Sequence, residues 1–170
     1  GGGDDDGGGV VDASAPPPML CGDGGVAAGG PNATVPGALS APAPTLRNLA
    51  LQWLISGDAD NDGVVTVRYR VKGQTAWAAG MPLRRVPAGT VEGHSWPSKH
   101  AGSLFDLEPG TMYEIELGLS DPDGGCELRT LEVATRPVPV AMAGAPVRSV
   151  TPATFTAMAS AAQPGDILEL

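Results

Sequence analysis

The sequence predicts an all-β fold, a small antiparallel sandwich over about residues 44–136, and three observations lead there. Val65, Val67, Tyr69 and Val71 alternate with Thr66, Arg68, Arg70 and Lys72. That period of two is the mark of a half-buried strand. Next, Ser103 to Leu119 reads as the end of one strand, a tight corner and a long strand. Leu107, Pro109 and Tyr113 are spaced as in a tyrosine corner, where a tyrosine at a strand start turns its hydroxyl back to the upstream backbone. Finally, about seven short strands at regular spacing, separated by turn signals, make a sandwich pattern.

Taken in order, residues 1–43 are expected to be a spacer. The chain starts Gly-Gly-Gly-Asp-Asp-Asp-Gly-Gly-Gly and continues through Ala-Pro-Pro-Pro at 15–18 to Ala-Pro-Ala-Pro at 41–44. Such stretches offer no periodicity and little apolar surface to bury. Order is expected from Thr45. Leu49, Leu51, Trp53 and Ile55 share one strand face, and Ser56 to Gly63 is rich in turn formers. The Val65–Val71 strand follows, then edge-strand material at Trp77 and from Met81 to Val86, with Trp77 expected at the edge of the core. Residues 87–100 are expected to be a long loop. Leu104 to Leu107 leads into the corner, where Pro109 pre-sets φ and Gly110 accepts the φ that the turn demands. After it, Tyr113, Ile115, Leu117 and Leu119 alternate with polar neighbours. Asp121-Pro-Asp-Gly-Gly is a strong turn signal, and a last strand is expected from about Glu127 to Thr135.

Beyond the sandwich, residues 137–150 read as a Pro/Ala linker. Thr151 is a candidate N-cap with Pro152 at the first helical position. Phe155, Met158, Ala159 and Ala162 then share one helical face. Gln163-Pro-Gly-Asp stops the helix and Ile167-Leu-Glu-Leu starts a strand, so 151–170 is a separate segment.

Composition narrows the partners. Nineteen acidic against ten basic residues give a net charge of −9, which argues against nucleic acid and anionic membranes. No apolar run is long enough to span a bilayer. Cys21 and Cys126 could form one disulfide or none, and neither sits in a CxxC or Cys/His cluster that would suggest zinc.

Candidate chemistry is sparse. Asp58, Asp60, Asp62 and Gly63 begin like a calcium loop, but the twelfth position, where a bidentate Glu belongs, is Tyr69 inside a strand. An Asp-rich interstrand loop is also an ordinary turn, so no metal is expected. His94, Ser95, Trp96 and His100 share the 87–100 loop without the spacing of a catalytic triad. Trp96 could offer a flat ring with a polar edge to a sugar, with His94 and His100 beside it. Glu114 and Glu116 read as the solvent face of a strand, and no catalytic residue or cofactor is expected. Asn32-Ala33-Thr34 matches a glycosylation sequon, a pattern that is often accidental.

Trp53, Tyr69, Trp77, Leu107, Pro109, Tyr113 and the closing Thr135, in this order, resemble a fibronectin type III domain over residues 45–136. The resemblance implies a seven-stranded immunoglobulin-like sandwich. The long 87–100 loop departs from it, and the wording of Ala101–Pro109 and Leu119–Gly124 is similar to divergent fibronectin-like domains that precede parallel β-helix domains in bacterial exported proteins. The 151–170 segment is similar to the capping helix and first strand that open such β-helices. What the resemblance implies is a monomeric, non-catalytic accessory or spacer module, the front piece of a longer extracellular or cell-surface protein. Its partner would be its own C-terminal β-helix domain, and the parent could act on or bind polysaccharide. The Gly/Asp start resembles a lipoprotein tether without its lipidated cysteine. In an exported protein a Cys21–Cys126 bridge could tie the leader to the sandwich. The alternative is a glycan- or protein-binding module that uses the 87–100 loop.

Overall fold

The computed structural model describes residues 30–170, which divide into two compact units at Pro137/Val138. Cys21 lies outside the described residues, and so does the pairing considered for it and Cys126.

The first unit is all-β. Its strands are β1 (Thr34–Ser40), β2 (Leu49–Gly57), β3 (Val64–Val71), β4 (Ala78–Ala79), β5 (Arg84–Val86), β6 (Gly89–Val91), β7 (His94–Trp96), β8 (Lys99–Leu104), β9 (Met112–Ser120) and β10 (Cys126–Ala134). Two four-stranded antiparallel sheets form, in the orders β1-β2-β8-β5 and β10-β9-β3-β4, and β6 and β7 make a small separate hairpin. This is a β-sandwich. The alternation in sequence becomes the core: Leu49, Leu51, Trp53 and Ile55 of β2 are buried against Val65 and Val67 of β3 and Tyr113, Ile115, Leu117 and Leu119 of β9. Leu83, Leu104 and Leu107 close the cluster, and Tyr69 packs against it half-buried. With one face of each sheet removed from water, register is set strongly, because a one-residue slip would turn every apolar side chain outward.

The corner is built as its residues suggest. The Glu108 backbone N–H donates to the Tyr113 hydroxyl at 2.9 Å, and Gly110 takes φ +63°. Thr135 closes the same corner: its hydroxyl donates to the Glu108 carbonyl at 2.6 Å and accepts from the Thr111 N–H at 3.0 Å.

In this unit two boundaries and the placement of one side chain differ from the sequence reading. Residues 34–40, expected within the spacer, form β1 and pair with β2, with a register irregularity between Pro36 and Leu39. Pro36 is tolerated because β1 is an edge strand, where a missing donor leaves no ladder bond unmade. The Gly37 carbonyl accepts a hydrogen bond from Arg129 of β10, and the Thr34 N–H donates to the Gly124 carbonyl at 2.8 Å. Pairing partners distant in sequence thus override a composition that reads as spacer. The 87–100 loop holds the β6–β7 hairpin and the start of β8. Trp77 lies on the outer face of the second sheet, over arginine side chains, and not at the core edge.

The second unit holds β11 (Val147–Ser149), α1 (Phe155–Ala161) and β12 (Ile167–Glu169). Val147–Ser149, expected as linker, pairs parallel with β12, and the helix is the crossover that a parallel pair requires. The helix starts at Phe155, after a turn over 152–154, with Thr154 at the N-cap. The Thr154 hydroxyl accepts from the Thr151 N–H at 2.9 Å, so it points back and not into the helix. Arg148 on β11 and Asp166 before β12 form an ion pair at 3.1 Å.

Candidate functional site

Three places gather chemistry-bearing side chains. The first is the 87–100 segment. Trp96 lies in the β6–β7 hairpin with its indole N–H donated to the Pro87 carbonyl at 2.9 Å. Its ring packs on Gly89, where a Cβ would fall 2.6 Å from the ring, so the pairing requires glycine. His94 is exposed at the start of β7. His100 is not in the loop at all. It is a fully buried residue of β8, paired across the sheet with Trp53 and with Arg85. The structure therefore does not bring His94, Trp96 and His100 to one surface, because alternation along β8 turns His100 inward with Leu104.

The second place is one end of the sandwich. The β3–β9 register sets Val64 opposite Ser120, which brings the Asp58–Gly63 loop beside the Asp121–Gly125 turn. Asp58, Asp60 and Asp62 bring carboxylate oxygens within 4.8 Å of one another, and so do Asp62, Asp121 and Asp123. Three of these carboxylates have partners within the fold. Asp58, with φ +50° and no exposed surface, forms an ion pair with Arg85 of β5 and accepts the Gly63 N–H at 3.1 Å. Asp121 accepts from the Thr34 hydroxyl at 2.5 Å and from the Asp123 N–H at 2.8 Å. Asp60 accepts from the Asn32 side chain at 3.0 Å. The Asp60 and Asp62 carboxyls are held above the ordinary range, first by desolvation and then by repulsion from neighbouring carboxylates, with a backbone hydrogen bond partly offsetting this at Asp60. Sequence reading weighed Asp58, Asp60 and Asp62 as a calcium loop but missed Asp121, Asp123 and the Arg85 pair. The turn signals at 56–63 and 121–125 were visible; their meeting depends on strand register.

The third place is the outer face of the second sheet. Arg68 and Arg70 of β3 face Glu116 and Glu114 of β9 in register. Arg70 Nε donates to Glu114 at 2.5 Å; Arg68 Nε lies 2.5 Å from Glu116 in an ion contact not aligned as a hydrogen bond. Lys72 donates to Glu132 of β10 at 2.7 Å. Trp77 lies over this ladder, with the Arg68 and Arg70 guanidinium carbons 4.6 and 4.3 Å from its ring centroid. A groove of about 250 Å³ runs beside it, lined by Arg70, Trp77, Glu114, Thr130 and Glu132 among others. Glu114 and Glu116, read as solvent-facing, are thus half of a paired cross-strand ladder.

No family model matches the chain, and no curated protein matches it. Among solved structures, the chain is similar to a β-sandwich protein from a computer-based redesign, at 16% identity and a TM-score of 0.35, over 59% of this chain and 94% of that one. It is also similar to the purple acid phosphatase PPD1 from yellow lupin (Lupinus luteus) seeds, at 20% identity and a TM-score of 0.41, over 64% of this chain and 20% of that one. No helix among the described residues is long and apolar enough to cross a membrane.

Proposed function

We propose that the sandwich is a fibronectin type III-like, non-catalytic module that spaces or braces a neighbouring domain in an exported bacterial protein. One observation carries this reading: five of the side chains best able to do chemistry are engaged in holding the fold. The Trp96 indole N–H is bound to Pro87, His100 is enclosed in the core, and Asp58, Glu114 and Glu116 are each matched to an arginine. The Tyr113 corner and the two sheet orders support the fibronectin-like assignment. The parallel β11–β12 pair with its helical crossover supports the finer reading of 151–170 as the opening of a parallel β-helix. In that reading the β-helix domain carries the parent's activity on polysaccharide.

Calorimetric titration of the chain with an acidic polysaccharide such as polygalacturonate, together with a turnover assay on the same polymer, tests the proposal. A spacer module gives neither heat of binding nor product. Saturable binding that Trp96→Ala abolishes would replace it with the glycan-binding alternative, and turnover would overturn the non-catalytic assignment.

A further inference from the structure

The inner face of the first sheet, mostly apolar, carries a polar cluster around His100. His100 of β8 lies between Trp53 of β2 and Arg85 of β5 in cross-strand register. It has no exposed surface, and neither ring nitrogen has a hydrogen-bond partner among the described residues. Arg85 Nη1 is buried and unpartnered in the same way, while Arg85 Nε binds the Asp58 carboxylate and Nη2 the Asp58 carbonyl at 3.2 Å. The charged groups around the imidazole are Arg85 on β5, Asp58 in the β2–β3 loop and, at longer range, Asp121 in the β9–β10 turn. Behind Trp53, the Arg129 guanidinium lies 5.2 Å from the indole centroid and is itself engaged by Glu127 and the Gly37 carbonyl.

We propose that His100 and the Arg85–Asp58 ion pair form an acid-sensitive latch, which keeps β5 and the 87–98 segment on the edge of the first sheet and frees that segment when the imidazole takes up a proton. The reason is a shortage of negative charge. Both Asp58 oxygens are engaged, one by Arg85 and one by the Gly63 N–H. A protonated imidazole is then a second buried cation beside one carboxylate. It either stays unpaired, which is costly in a dry interior, or draws Asp58 away from Arg85. Both outcomes weaken the side-chain tie between β5 and the β2–β3 loop. β5 itself is short, three residues paired to β8 alone within its sheet, and its flanks are held by the Leu83–Val65 bridge on one side and by the Ser98 carbonyl, which accepts the Ile55 N–H at 3.1 Å, on the other. Short edge elements of this kind open locally well before the core does. Burial holds the imidazole below its ordinary range, against the opposing pull of Asp58, so release belongs to pH values under the free histidine value of 6.5. The Leu83 backbone lies near enough to favour the charged ring, but not in hydrogen-bond geometry.

Amide hydrogen exchange of the full chain at pH 7.5 and 5.0, corrected for intrinsic exchange rates, tests the latch. Peptides covering 84–98 should lose at least about tenfold in protection at the lower pH, the scale of one pKa unit of linkage, while β3 and β9 peptides hold theirs. In His100→Gln the loss should vanish. Uniform loss across all strands, or the same local loss in His100→Gln, overturns the proposal. Should the variant not fold, NMR titration of the wild-type imidazole decides. Titration in step with 84–98 release supports the latch, and titration without release overturns it.

Discussion

The Tyr113 hydroxyl reaches back five residues to the Glu108 N–H, at 2.9 Å, and pins the corner between the two sheets. The Tyr113 ring is buried with Leu107 in the core, while the hydrogen bond itself is part-buried, at the exposed Glu108. Tyr113→Phe removes the acceptor and keeps the ring. We expect a loss of about 1–2 kcal/mol, the usual cost of losing such a hydrogen bond, read as a lower urea midpoint with unchanged slope.

The Asp58–Arg85 pair is buried on both sides. Asp58→Ala leaves the guanidinium uncompensated and should cost about 3–5 kcal/mol. Replacing both partners with apolar residues of similar volume should recover most of that loss. A double-mutant cycle by urea denaturation measures the difference, and strict additivity of the two single changes would contradict a direct pair.

Asp60 and Asp62 have carboxyl groups raised above their usual range, so the folded state holds protons more tightly than the unfolded chain does. Stability from this source is therefore lost as pH rises through and above the carboxylate range, and is regained on acidification. Asp60→Asn or Asp62→Asn should raise the thermal midpoint at pH 7 in chelator-containing, low-salt buffer. The gain should shrink with added sodium chloride, which screens exposed charges.

Glu114 and Glu132 stand directly opposite each other on β9 and β10, each held by a cation of β3 or the turn after it. Arg70→Ala exposes that like-charge pair and should cost about 1 kcal/mol. Adding Glu132→Gln should return part of it. Loss of the guanidinium from the Trp77 face should also shift the tryptophan emission.

Much of the sandwich was legible because strand alternation is local. Val65 to Val71 and Tyr113 to Leu119 alternate strictly, and each run became a strand whose apolar face is buried for most of its length. The corner was legible for the same reason: Leu107, Pro109 and Tyr113 act on one another within seven residues. β1 was not, since a Pro36-Gly37 stretch pairs only when β2 is already laid out beside it. β11 escaped notice likewise, its partner lying 20 residues on in register.

The candidate sites divide along the same line. Asp58, His94, Trp96 and His100 were visible as residue types, and the sequence by itself determined the alternation, the turns and the corner, because those follow from interactions between near neighbours. Tertiary structure decided that His100 faces the core beside Arg85, that Asp58 is a buried counter-ion, and that Asp121 and Asp123 join the acidic end. Each of those outcomes depends on cross-strand register, which is set by burying whole faces of two sheets at once and by no short stretch of chain.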